Sequence, residues 1–412
     1  VSVPRAAAPA GRRAVAEVLR EPGYRPLWVS GLCVNVARWM DLVTVGWLAL
    51  SLTGSPFMVG LAAFARAAPL MVLGPFAGIV ADRVARGRVL LAAQAVGLAT
   101  ALLLGALFAT GAGGYWTLVA LEVVFGAMWA LDFPARRTAL YAVLGAPRVA
   151  QAVSLETVSM QIAKMIGPLA AGLALARLGP AAPYVMMAAV YAAGLVASRG
   201  LAGRLGGPGA GAPASVVASL RAGLAAAWGS PTVRGVLLVT IAMNTLFFPY
   251  QHMLPVFARD VLAVGPTALG ALVAADGCGA LAGALALASR RGAPAHRTLF
   301  AAAVLVAPVL LVGLAGSRSL LVGMALLAVM GVAESAFAAM QSTLVLLGAP
   351  ERVRGGAMGI LSACIGTQPL GTLLIGLVAA ALGAPLAFAL NAVAALLVIV
   401  PLAVPLARGR PD

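Results

Sequence analysis

Gly78-Ile79-Val80-Ala81-Asp82-Arg83-Val84-Ala85-Arg86-Gly87-Arg88-Val89-Leu90 sets one acid and three arginines between two long apolar runs. Alone, such a stretch is a solvated basic turn. Between segments long enough to cross a bilayer, it marks a short charged loop at the membrane surface.

Working outward from this loop, the whole chain is apolar. Of its 412 residues 62% are hydrophobic and 10% charged, and mean hydropathy is +1.02. A soluble domain carries about a quarter charged residues. An apolar helix needs about 20 residues to span roughly 30 Å of hydrocarbon. Twelve segments meet that length: 27–50, 57–81, 89–110, 115–134, 151–177, 181–199, 233–257, 266–289, 297–315, 319–345, 354–380 and 384–406. The expectation is an all-α membrane protein.

The net charge of +16 would suggest nucleic acid in a soluble protein, but the arginines alternate from loop to loop. With the N-terminus inside, 22 of the 27 arginines fall on the cytoplasmic side and three (Arg177, Arg259, Arg318) on the other. The positive-inside rule then places both termini in the cytoplasm of an inner (plasma) membrane protein, with lipid and not nucleic acid as its partner. Residues 1–26 hold no apolar core and are expected to be a cytoplasmic tail. Cys33, Cys278 and Cys364 are far apart within spans, so they suit packing better than a disulfide or a metal site.

Between 200 and 232 the composition breaks at Gly206-Gly-Pro-Gly-Ala-Gly-Ala-Pro213. Six spans precede the break and six follow. Leu144-Gly-Ala-Pro147-Arg148 returns as Leu347-Gly-Ala-Pro350-Glu351-Arg352, and Gly167-Pro168-Leu169 is echoed by Gln368-Pro369-Leu370, about half a chain later. Weak symmetry at half length fits two related bundles with a site between them. The division is therefore a tail (1–26), a bundle (27–199), a cytoplasmic linker (200–232), a second bundle (233–406) and a short cytoplasmic tail (407–412).

The Gly78 to Arg88 pattern resembles the loop between the second and third helices of the major facilitator superfamily. Asn35-Val-Ala-Arg38-Trp39-Met40-Asp41, Gly46-Trp47-Leu48, Arg66-Ala-Ala-Pro69, Asp132-Phe-Pro134-Ala-Arg136-Arg137 and Lys164-Met-Ile-Gly167-Pro168 resemble the drug and metabolite exporter branch that holds the enterobactin exporter and macrolide efflux permeases. Asp41 stands where that branch usually has a neutral amide, and Lys164 where arginine is usual. The resemblance implies a twelve-helix fold of two pseudo-symmetric six-helix bundles. It also implies a conformational latch built from Gly78, Asp82, Arg83, Arg86 and Arg88, with Asp132, Arg136 and Arg354 at the facing helix ends.

Energy from ATP would require a Gly-x-x-x-x-Gly-Lys-Ser/Thr loop, and the single lysine, Lys164, precedes Met165. An ion gradient, protons first, is the expected source. One charge crossing about 100 mV is worth roughly 2.3 kcal/mol, so about 150 mV supports on the order of a 300-fold gradient per proton. No cofactor, metal or enzymatic constellation emerges, and Gly277-x-Gly279 with Gly283 reads as close helix packing.

Candidate coupling and substrate groups are the ionisable residues inside spans, each costing about 2.5–3.5 kcal/mol unless paired or hydrated. Asp41, Lys164, Asp276 and Glu334 sit near mid-span, with Arg38 and Arg66 within a turn or two; three acids then face three bases. Asp41 and Lys164 share a level and are expected to pair. Glu122 is expected nearer the outer surface. His252 follows Tyr250-Gln251 close to the outer end and reads as a packed polar residue. Spans one, four, seven and ten line the cavity in the fold resembled, which favours Asp41 and Glu334 as proton sites.

Trp39, Trp47, Trp129, Phe247, Phe248 and Phe337 could bind amphipathic cargo by area. The expected activity is proton-coupled secondary export of amphipathic small molecules such as a drug, siderophore or other metabolite, by a monomer using alternating access. Uptake of a polar nutrient, or a non-transporting sensor or scaffold, are the alternatives.

Overall fold

A computed structural model describes residues 17–83, 85–201, 224–225, 228–289, 296–350 and 354–408. Most of the expected N-terminal tail, most of the 200–232 linker, Arg290, Arg291 and the last four residues lie outside it. So do the side chains of 74–83, which include Asp82 and Arg83 of the opening stretch.

Twelve helical segments follow in chain order. The first six are α1 (Tyr24–Thr53), α2 (Pro56–Arg83), α3 (Arg86–Ala109), α4 (Tyr115–Gly145), α5 (Leu155–Leu178) and α6 (Ala182–Ser198). The second six are α7 (Pro231–Val261), α8 (Pro266–Ser289), α9 (His296–Gly316), α10 (Leu320–Gly348), α11 (Arg354–Ile365 continuing as Gln368–Leu382) and α12 (Ala384–Arg408). Eleven are long and apolar enough to cross a membrane, and α6 is a shorter apolar helix of 17 residues. At about 1.5 Å per residue α6 still reaches roughly 26 Å.

Apolar residues surround each helix. That is the signature of a helix solvated by lipid on one side and by other helices on the other. Interruptions fall where the chain permits them. Gly145 takes φ 66° and ψ 170°, a conformation that side-chain-bearing residues rarely adopt, and separates α4 from α5. The second copy of the same Leu-Gly-Ala-Pro motif ends α10 at Gly348. The fourth helix was expected to end at 134; it runs on through Pro134 to Gly145, because nothing before that glycine breaks it. In α7, π-helical turns at Met243–Phe247 and Phe257–Val261 flank Pro249 and Pro255.

The two halves meet along two equivalent helix pairs, α5 with α8 and α2 with α11. Small residues allow the approach. A Cβ on Gly60 would strike the Thr372 carbonyl at 2.6 Å, one on Gly277 the Lys164 backbone at 2.9 Å, and Cβ atoms on Gly172 and Gly270 would collide with the facing backbone. Gly279 and Gly283 lie against α10 at Ala328 and Val332, as the packing reading of that glycine run expects. Most of these contacts lie toward the arginine-poor side, where Arg259 Nη1 also donates to the Leu50 carbonyl at 3.0 Å and Pro255 abuts Gly46. A cavity of about 340 Å³ occupies the middle of the molecule and the half toward the arginine-rich side.

Candidate functional site

Two buried charge clusters stand at the level of this cavity, and each holds one base between two acids. In the first, Arg66 Nη1 of α2 donates to Asp41 Oδ2 of α1 and to Glu122 Oε2 of α4, the latter at 3.0 Å. Both carboxyls have no solvent exposure, and among the described residues no N–H or hydroxyl donor reaches Asp41 Oδ1 or Glu122 Oε1. Gly126, one turn after Glu122, rests on the Arg66 carbonyl and brings α4 in. Glu122, expected nearer the outer surface, is for that reason fully enclosed.

In the second cluster, Lys164 Nζ of α5 lies 2.6 Å from Asp276 Oδ2 of α8 as an ion pair, without hydrogen-bond alignment. It donates to Glu334 Oε2 of α10 at 3.1 Å. Tyr250 Oη donates to Glu334 Oε1 at 2.9 Å, and Gln251 Nε2 reaches the same carboxylate at 3.3 and 3.4 Å. The ammonium also sits 5.2 Å from the centre of the Trp39 ring. Gly277 against Lys164 and Gly331 against the Asp276 carbonyl allow these three helices to converge.

This pairing corrects the expected one. Asp41 and Lys164 do share a level, but Asp41 faces Arg66 within its own bundle while Lys164 faces the other bundle. The expected balance of three acids against three bases also changes. Four acids share two bases, and Arg38 has no carboxylate partner among the described residues. Its guanidinium instead lies 4.2 Å over Trp129.

A cluster with one cation and two carboxyls is neutral only when it carries one proton. In a low-dielectric site that arithmetic matters, because an unbalanced charge costs several kcal/mol. With both carboxyls ionised, each cluster carries a net charge of −1.

The cavity wall includes Arg38, Arg66, Lys164 and Glu334, whereas Asp41, Glu122 and Asp276 stand behind it. Trp39, Trp129, Phe248 and Phe337 line it as expected; Phe247 is fully buried in the core, and Trp47 packs against the core away from the cavity. His252 also lines the cavity rather than packing near the outer end, since the break in α7 at Phe248-Pro249 turns this segment inward. Gln161, Tyr250 and Gln251 were not singled out from the sequence. Their signal was there, as isolated polar groups within apolar spans.

Below the cavity, toward the arginine-rich side, Asp132 is held by Arg136 through two bonds of 3.0 and 2.8 Å. Arg136 Nη1 donates onward to the Leu27 carbonyl and Ser30 Oγ, both at 2.8 Å. Among the described residues the partner of Asp132 is thus Arg136 of the same helix, and the Arg83 side chain of the loop lies outside them. Arg354 Nε donates to the Leu346 carbonyl at 3.0 Å, and the Asp82 contact expected beside it lies outside the described side chains.

With this geometry in place, comparison with known proteins is informative. A family model described as transmembrane secretion effector, of the major facilitator transporters, matches residues 15–409. The multidrug efflux pump Tap of Mycolicibacterium fortuitum is 28% identical over 373 residues, covering 86% of this chain and 88% of that one. The staphyloferrin A transporter of Staphylococcus aureus is 26% identical over 148 residues, 36% of this chain and 37% of that one. Among solved structures, a mutant of the peptide transporter POT bound to alafosfalin superposes with TM-score 0.74 at 13% identity, over 97% of this chain and 99% of that one. A bacterial homologue of the human lysosomal transporter Spinster, inward-facing and unoccupied, gives 0.69 at 15% identity over 94% and 97%. At such identities these structures speak for the fold alone.

Proposed function

The chain belongs to the transmembrane secretion effector family of major facilitator transporters, and from that premise we propose that it exports amphipathic small molecules in exchange for protons by alternating access. One observation carries the coupling: Lys164 of the first bundle is clasped by Asp276 and Glu334 of the second, at 2.6 and 3.1 Å. Opening on the arginine-poor side must part α5 from α8 and so must break this bridge. Its strength depends on whether the carboxyls are ionised. A carboxyl neutralised by a proton gives up its attraction for Lys164, and an ionised one closes the bridge again.

The arginine-rich face is cytoplasmic under the positive-inside rule, so the cavity faces the cytoplasm and receives cargo from that side. Cargo resting on Trp39, Trp129, Phe248 and Phe337 gains affinity by buried area. Cargo that also engages Lys164 competes with Glu334 and loosens the bridge. A differential interaction of about 1–3 kcal/mol between the two states suffices to shift their populations. The name of one relative, a multidrug efflux pump, supports the outward direction.

The test is purified protein in vesicles with an imposed pH gradient, a lipophilic dye as cargo and an entrapped pH indicator. Dye moving against its own gradient, with opposed proton flow and collapse by a protonophore, is the expected result. Dye movement indifferent to the pH gradient and to the protonophore would remove proton coupling.

A further inference from the structure

We infer that the cargo is an anionic amphiphile whose acidic group seats on Arg38, beneath the aromatic wall. This names the substrate class of the cavity just described and rests on that reading. The charged groups lining the cavity are Arg38, Arg66, Lys164 and Glu334. Three cations therefore face the space against one carboxylate, while the remaining acids of both clusters stand behind the wall.

Arg66 and Lys164 are each already shared between two carboxyls. Arg38 is different. Among the described residues it has no ion pair and no hydrogen bond, and its guanidinium lies 4.2 Å over the face of Trp129. The other polar groups beside it at the wall are suited to receive an acceptor. Gln161 has no hydrogen-bond partner among the described residues, and the His252 imbalance is the same: a ring with no described acceptor.

A guanidinium stacked on an indole presents its N–H edge outward, in the fork that matches a carboxylate, sulfonate or phosphate. A neutral cargo would leave that cation without a counter-charge once the carrier closes around it. A cationic cargo would meet three cations against one carboxylate at the wall. An anion with an aromatic body satisfies both the free arginine and the aromatic wall.

Equilibrium binding separates this from proton coupling, since it needs no gradient. The probes are dansylphenylalanine and its methyl ester, with the protein in nanodiscs of neutral phosphatidylcholine at about pH 7.5, where the free carboxyl is ionised. Wild type should bind the acid on the order of 10-fold more tightly than the ester, the discrimination expected of one charge-assisted hydrogen-bonded contact. Arg38→Gln should abolish that preference, and Arg38→Lys should retain part of it.

Because Arg38 holds no carboxylate, Arg38→Gln orphans no buried charge, so an intact melting temperature accompanies the expected result. Equal affinity of wild type for acid and ester, absence of saturable binding by either, or an acid preference that survives in Arg38→Gln would overturn the assignment. Displacement of the acid by phosphatidylglycerol added to the nanodiscs would assign the seat to a lipid headgroup and likewise overturn it. A protein that discriminates the acid yet moves no protons refutes the coupling alone.

Discussion

Lys164 donates across the interface between the two bundles to Glu334, 170 residues further along the chain, at 3.1 Å. It is a buried charge pair at the surface along which the halves must separate. Function and stability are therefore read out at the same place, and variants should separate them.

Glu334→Gln keeps the shape of the site and its contacts with Tyr250 and Gln251 while removing its charge. It should preserve downhill exchange of cargo and abolish gradient-driven accumulation. Lys164→Gln should behave differently, leaving Asp276 and Glu334 together without a cation, at a cost of about 3–5 kcal/mol. The double change Lys164→Gln with Asp276→Asn should recover much of that loss. Thermal melts of the purified variants beside vesicle flux decide this; accumulation at the wild-type level by Glu334→Gln would move the coupling elsewhere.

In the first cluster the asymmetry should show directly in stability. Asp41→Asn leaves Arg66 with Glu122 as a one-to-one pair, so its cost should stay within about 1 kcal/mol. Arg66→Gln leaves two enclosed carboxyls with no cation and should cost about 3–5 kcal/mol. Melting temperatures in one detergent give the comparison. A larger loss for Asp41→Asn than for Arg66→Gln would contradict the observed pairing and restore Lys164 as the partner of Asp41.

At the arginine-rich face, Asp132→Asn and Asp82→Asn should part company. Asp82 is expected to bias the two conformations without touching cargo, so its loss should slow turnover while equilibrium binding holds. Asp132 clasps Arg136, which ties α4 to α1 through Leu27 and Ser30, so its variant should also melt earlier. Wild-type turnover in Asp82→Asn would remove the latch.

Glycines that bring the clusters together should tolerate no side chain. Gly126→Val and Gly331→Val would each drive a Cβ into the backbone at Arg66 or Asp276 and should reduce folded yield severely. Gly54→Ala is the control. Its φ of 67° makes a side chain strained, but nothing lies within 4 Å of the added carbon, and the cost should be about 1–2 kcal/mol. Equal yields for all three variants would deny the packing role.

The amino-acid sequence by itself determined the twelve apolar segments and which ionisable groups lie inside them. These follow from hydropathy, which is a property of neighbouring residues and of the cost of leaving a polar group in hydrocarbon. The close-packed Gly277-x-Gly279 was legible for the same local reason, whereas the Leu-Gly-Ala-Pro motifs read only as a repeat and the end of α4 at Gly145 came from the structure. The tertiary structure alone decided which charge meets which. Position along a span fixes depth, and depth put Asp41 and Lys164 level. It leaves open the direction each side chain faces around its helix and which helix lies opposite. Those were settled by glycine contacts between distant segments, with Gly126 drawing Glu122 onto Arg66, and Gly277 and Gly331 gathering Lys164, Asp276 and Glu334. Arg38 was left over by that same packing, and no count of charges along the chain singles it out.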